Sequence, residues 1–230
     1  MCLNKLKFRM KNMKSIAWQA GCLLWLGMAV CNCTPASSGE DYASYVNPFI
    51  GTGGHGHTYP GAVVPNGMIQ PSPDTRIFQW DACSGYYYAD STINGFSHTH
   101  LSGTGCGDYG DVLLMPTVGR QDYHAMGKKS QQMAYASPFS HGREKAEPGY
   151  YSVFLNRYGV QAELTSTKRA AIHRYTFPKS GKAGFILDLD YSLQRQKNEE
   201  MKLEVISDTE IRGHKKTVYL YNGDRFHGIG

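Results

Sequence analysis

Two histidine pairs, His55-Gly-His57 and His98-Thr-His100, are the residues of this 230-residue chain whose types and spacing most plainly permit chemistry. Both sit in glycine-rich stretches, GTGGHGHTYPGA at 51–62 and GFSHTHLSGTGCGDYGD at 95–111. An imidazole serves as hydrogen-bond donor, acceptor, metal ligand or proton carrier near neutral pH. Glycine admits positive φ and lets backbone approach a ligand closely. In extended backbone, residues i and i+2 point the same way, so each pair is arranged either to chelate or to line one face. With Asp108 or Asp111, the four histidines His55, His57, His98 and His100 make the donor set of a transition-metal centre. The same histidines serve equally as ligand contacts or as packed loop residues. A phosphate-cradling loop is disfavoured, because no lysine follows the glycines and no helical pattern opens after them.

A third stretch, FQWDACSGYYY at 78–88, has the makeup of a sugar site. Flat aromatic rings stack on the apolar face of a pyranose while polar neighbours take its hydroxyls. If the stretch is extended, Tyr86 and Tyr88 share one face and Tyr87 takes the other, so the three cannot serve one site. Trp80, beside Asp81 in a loop with serine and glycine, is the stronger candidate. Cys83 and Cys106 are the two cysteines outside the N-terminal segment. In an oxidising compartment they are candidates for a disulfide; two buried thiols are the alternative.

The elements that must position these loops are strands. From 148 to 221 the chain runs in period-2 segments of strand length. In YYSVFLN, Tyr151, Val153 and Leu155 share a face; in VQAELTS, Val160, Ala162 and Leu164 do. AAIHRYTF, GFILDLDYS, KLEVIS, TEIRG and TVYLYN follow, with turn-like breaks at Pro148-Gly149, NRYG, PKSGKAG and SDT. QRQKNEE at 194–200 reads as a polar loop or a short helical turn. Short strands at regular spacing, with no amphipathic helix and no repeat, predict an all-β antiparallel β-sandwich. A sandwich spends its strands on the core and leaves function to loops.

The N-terminus reads as an export signal. Lys5, Lys7, Arg9, Lys11 and Lys14 precede an apolar core, AGCLLWLGMAV at 20–30, which is too short to span a bilayer. Met10 or Met13 would give the signal a more usual length. The following CNCTPASSGE places Cys31 or Cys33 where a bacterial lipoprotein carries its lipid, although the residue before each is not the preferred small one. Residues 1–33 are therefore read as the signal, 34–43 as a linker and 44–230 as the sandwich. The expected location is the periplasm or the outer membrane, with membrane contact only through the lipid. The five basic residues of the signal take up the net charge of +5, leaving 19 basic against 19 acidic residues in the rest. A neutral body without a basic cluster argues against nucleic-acid binding.

Two longer segments, YVNPFIGTGGHGHTYPGAVVPNGMIQPSPDT and GYYYADSTINGFSHTHLSGTGCGDYGDVLLMPTVG, resemble the N-terminal domain of glycoside hydrolase family 92, the exo-acting α-mannosidases. The resemblance runs from about Tyr45 to about Arg212 and fades after about Gly213. It implies a β-sandwich packed against an (α/α)6 catalytic domain, with sandwich loops shaping a pocket for mannose-containing glycans. It also implies an inverting, calcium-dependent mechanism, in which a carboxylic acid protonates the leaving oxygen and a carboxylate activates water. Calcium takes oxygen ligands, so histidine pairs are poor candidates for holding it. On this reading Trp80, Asp81, His55, His57, His98 and His100 are substrate contacts, no residue of the chain is catalytic or a metal ligand, and calcium is held mainly by the helical domain. The acid, the base and that domain are expected to lie outside these 230 residues, and the chain alone is expected to be inactive. The alternative is a stand-alone carbohydrate-binding module, or a metal hydrolase built on the histidine pairs.

Overall fold

A computed structural model of the chain describes residues 40–121, 131–221 and 224–229, with side chains placed through residue 218 except that of residue 195. The predicted signal and linker up to residue 39, with Cys31 and Cys33, lie outside the described residues. The described part of the chain is nearly all β. Thirteen strands run in order: β1 (Ser72–Asp74), β2 (Thr92–Ile93), β3 (Gly95–Ser97), β4 (Leu113–Val118), β5 (Ser137–Pro138), β6 (Glu144–Glu147), β7 (Tyr150–Leu155), β8 (Val160–Ser166), β9 (Ala171–Thr176), β10 (Ala183–Asp188), β11 (Lys197–Ser207), β12 (Glu210–Tyr221) and β13 (Asp224–Ile229).

Every strand pairing is antiparallel. One sheet has the order β1-β3-β4-β10 and another β6-β7-β8-β9; β2 pairs with β5, and β11-β12-β13 form a separate three-stranded sheet. The second sheet follows the alternation of its sequence. Tyr151, Val153 and Leu155 of β7 are buried, as are Val160, Ala162 and Leu164 of β8. The register pairs Leu155 with Val160, Val153 with Ala162 and Tyr151 with Leu164, so six inward side chains form one apolar patch. Phe96, Leu113, Met115 and Ile186 of the first sheet join the same core. Two antiparallel sheets thus close on one apolar interior, as a sandwich requires. Truncating a core leucine such as Leu155 to alanine is expected to cost about 2–5 kcal/mol. Three fully buried tyrosines in this interior keep their hydroxyls satisfied. Tyr86 and Tyr151 donate to Glu144, and Tyr135 donates to Asp188 at 2.6 Å.

Three sequence expectations are corrected. The segments TEIRG and TVYLYN are one strand, β12, which pairs along β11 with two register shifts. Of the polar segment 194–200, the start is a short helical turn, Leu193–Arg195, as one of the two readings had it, but residues from Lys197 on are strand β11 rather than loop. The tyrosine run is not extended: Tyr86 is buried while Tyr88 is exposed, because a turn at 88–89 breaks the alternation.

Candidate functional site

Three loops converge on Trp80. The first, residues 51–62, folds back on itself so tightly that a Cβ at Gly56 would overlap the Gly51 carbonyl. This closure puts His57 in the left-handed region at φ 54°. A residue other than glycine adopts that conformation only when its surroundings impose it. Here the His57 ring is turned inward and is 6% exposed, with the Trp80 ring edge-on at 4.3 Å. His55 stays exposed, its ring tilted against Trp80 at 5.1 Å. Its Nδ1 lies 2.6 Å from Asp81 Oδ1.

The second loop carries Trp80 and Asp81 on a 3-10 turn spanning Trp80–Ala82. Gln79, which precedes it, has φ 97°. The strain is held by braces. Arg76, paired twice with Asp90 at 2.8 Å, also donates to the Gln79 side chain. Gln194 donates from its side chain to the Gln79 carbonyl, and its amide donates to the Ile77 carbonyl at 2.7 Å. The result is an indole 57% exposed on a fixed backbone.

The third loop, residues 97–111, closes over His57. The Gly103 amide donates to the His57 carbonyl at 2.7 Å. Gly105 passes so close that a Cβ there would sit 3.3 Å from both His57 Nδ1 and Trp80 Nε1. That approach requires glycine, as does the Gly105 φ of 68°.

The two histidine pairs do not meet. Among the described residues, the one group of three potential metal ligands is His55, His57 and Asp81. His98 and His100 belong to the packing beneath. His100 is buried, with Nε2 2.8 Å from Asp74 Oδ1 and Nδ1 2.7 Å from the Gln70 carbonyl. Ser97 donates to the other Asp74 oxygen at 2.6 Å. A side chain so enclosed cannot touch a ligand, which corrects the reading of His100 as a substrate contact. His98 is half-buried, bonded through Nδ1 to the Val112 carbonyl at 2.6 Å and stacked on His173 at 4.8 Å. It is committed to the sheet rather than to the loops around Trp80.

The acids are likewise spoken for. Asp111, one candidate carboxylate, pairs with Lys215 at 2.7 Å, a nearly buried contact that ties β12 to the third loop. Asp108 is half-buried beside Gln196, and burial raises its pKa. Cys83 and Cys106 are free thiols, so of the two alternatives the candidate disulfide is the one not seen. Cys83 is buried at the end of the Trp80 turn and Cys106 is half-exposed in the third loop. Burial, with Cys106 nearby, pushes the Cys83 thiol up to about 11, so it stays protonated and unreactive near neutral pH.

Calcium does not fit this site. It takes six to eight oxygen ligands, whereas the trio offers two imidazoles and one carboxylate. Sequence reasoning named Asp81 as a neighbour of Trp80 but missed its contact with His55. It also missed the braces from Arg76, Gln79 and Gln194, since no local pattern marks contacts between residues that lie up to 115 positions apart.

Comparison with known proteins accords with the architecture. A model of the glycosyl hydrolase family 92 N-terminal domain matches residues 45–227, and so continues past Gly213, where the resemblance was expected to fade. An uncharacterized secreted glycosidase of Arthroderma benhamiae is 34% identical over 168 residues, covering 72% of this chain. A family GH92 α-mannosidase from Bacteroides thetaiotaomicron, solved with mannoimidazole, superposes with a TM-score of 0.72 at 44% identity over 76% of this chain. An inverting GH92 mannosidase from the same organism gives 0.56 at 29% identity over 80% of this chain. The chain spans only 21% of the length of the glycosidase and 23% and 27% of the two mannosidases. With most of its length matched, the chain belongs to the glycosyl hydrolase family 92 N-terminal domain family.

Proposed function

We propose that this chain is the pocket-shaping N-terminal part of an exported, calcium-dependent, inverting α-mannosidase that acts on mannose-containing glycans, and that Trp80 lines the sugar pocket. The observation carrying this reading is the exposed Trp80 indole, in contact with two imidazoles on strained, braced loops in a chain of this family. Fixing an aromatic face at the surface has a cost that a core residue does not incur, and stacking on a sugar is the use that suits it. The mannosidase names of the solved relatives support the substrate class, and the secreted relative supports export. Lipid attachment at Cys31 or Cys33 is part of the proposal. Mass spectrometry of the mature N-terminus tests it, and an unmodified start beyond Cys33 would reject it.

Inversion needs two separated carboxyl groups, one acid and one base. Between residues 51 and 111 the acids are Asp74, Asp81, Asp90, Asp108 and Asp111. Asp74 is enclosed with His100, Asp81 lies against His55, Asp90 is held by Arg76 and Asp111 by Lys215. Asp108 alone cannot fill both roles. With no such pair in these loops, the family resemblance assigns the acid, the base and the oxygen ligands of calcium to a further, (α/α)6 domain of the polypeptide. The test is mannose release from α-linked mannobiose. We expect none from the 230-residue chain, and chelator-sensitive release from a longer polypeptide that contains it. Turnover by the 230 residues alone would overturn the assignment. Tight mannobiose binding by the 230 residues, with no activity in any longer product, would favour a carbohydrate-binding module.

A further inference from the structure

The trio His55, His57 and Asp81 has a property that sugar contact does not require. One donor atom from each side chain lies within 4.8 Å of the other two. His57 is 6% exposed, and its Nε2 is buried without a hydrogen-bond partner. A buried polar atom left unpaired is costly, and the left-handed backbone of His57 keeps the ring in that position. We propose that His55, His57 and Asp81 bind a borderline divalent transition metal of the zinc class, with an outward coordination position left open.

The donor types select the ion. Two imidazoles and one carboxylate suit zinc, cobalt or nickel, and three protein ligands with an open position is a known zinc arrangement. Ligand bonds of about 2.0–2.1 Å in a tetrahedron place the donors about 3.4 Å apart, so the His55–Asp81 pair must open by roughly 0.8 Å and the wider separations close by up to roughly 1.4 Å. The mobile members can do this: the His55 side chain is 74% exposed and that of Asp81 37%. The fixed member, His57, is set between Trp80 and Gly105. In the absence of metal, the His55–Asp81 contact of 2.6 Å keeps two of the ligands together, and the ion takes its place. The proposal does not depend on the mannosidase reading, since it needs only residues of this chain.

The experiment is a titration of the chelator-treated 230-residue chain with Co2+, followed by visible absorption and by tryptophan fluorescence. Trp80 is the tryptophan that touches the proposed ligands; the other two, Trp18 and Trp25, lie in the N-terminal segment. We expect one saturable Co2+ site that Zn2+ displaces and Ca2+ does not. His55→Gln and Asp81→Asn should each weaken Co2+ binding about tenfold or more. Both positions are at the surface, so these variants should keep the parent melting temperature. Trp80→Phe should abolish the fluorescence quenching and retain the Co2+ absorption. Parent-like Co2+ affinity in both surface variants would overturn the proposal. So would the lack of any saturable Co2+ signal in the parent, or displacement of Co2+ by Ca2+ as readily as by Zn2+.

Discussion

The two His-x-His pairs look alike in sequence and have opposite fates. His98-Thr-His100 is used up by the fold: both nitrogens of His100 face acceptors, and His98 is stacked and hydrogen-bonded. In His55-Gly-His57, one ring is exposed against a carboxylate and the other is buried with a nitrogen left open. The difference comes from the backbone. His98 directly follows β3, and His100 is folded back onto Asp74 of β1, the strand beside it. His57 lies in a turn with no ladder to occupy it. A histidine motif therefore gains a ligand role when nothing regular claims its nitrogens.

The contrast can be broken most forcefully at the buried pair. Replacing His100 or Asp74 by alanine leaves the partner buried and uncompensated, and should cost about 3–5 kcal/mol in chemical denaturation. A cost as small as that of a surface substitution would erase the distinction. Protonation acts on the same side of the comparison. Burial, with His98 next to it, lowers the His173 pKa to about 3, and burial also lowers that of His98. Unfolded histidine titrates near 6.5, so between about pH 6.5 and 3 the unfolded chain binds more protons and stability falls as pH drops. Urea midpoints at pH 7 and 5.5 should differ in the parent, less in His173→Gln, and least in the double variant His98→Gln/His173→Gln. A midpoint difference unchanged in the double variant would place the titration elsewhere.

On the loop side the effects are smaller. Gly105→Ala imposes a left-handed alanine, costing about 1–2 kcal/mol, and also crowds His57 and Trp80. Gly103→Ala, with a similar φ and open space around it, should show only the backbone part and leave Co2+ binding intact. Equal effects on binding would mean that the close approach at Gly105 does not matter. Trp80→Ala should lower stability by less than about 1 kcal/mol, against the roughly 3–5 kcal/mol of a core tryptophan, yet impair mannobiose use in a longer active polypeptide. A large fall in melting temperature with normal kinetics would make Trp80 structural. Least of all, His55→Gln should change stability by no more than about 0.5 kcal/mol.

The legibility of the sequence followed the same physics. β7 and β8 were readable because each buries one face and alternates accordingly. β1 and β3, three residues each and buried throughout, have no alternation to read, and their serines, proline, aspartate and glycine mimic a turn. The word FSHTH marks the family, yet nothing local in it says that His100 will meet Asp74, 26 residues earlier in the chain. Trp80 and Asp81 were legible as a polar aromatic loop, whereas the contact of Asp81 with His55 depends on a turn closing at Gly56.

The braces have a consequence in time. The three loops around Trp80 are complete in sequence by residue 111, but they are pinned by Gln194 and Lys215. A ribosome adding about 5–20 residues per second takes on the order of 5–20 s to go from Asp111 to Lys215. Until residue 194 is made the strained turn at Gln79 lacks the contact from Gln194, and until residue 215 is made Asp111 lacks that from Lys215. The loops that are written first are set last, so newly made chains should pass through a stage in which the sandwich is forming and the loops around Trp80 are not yet fixed.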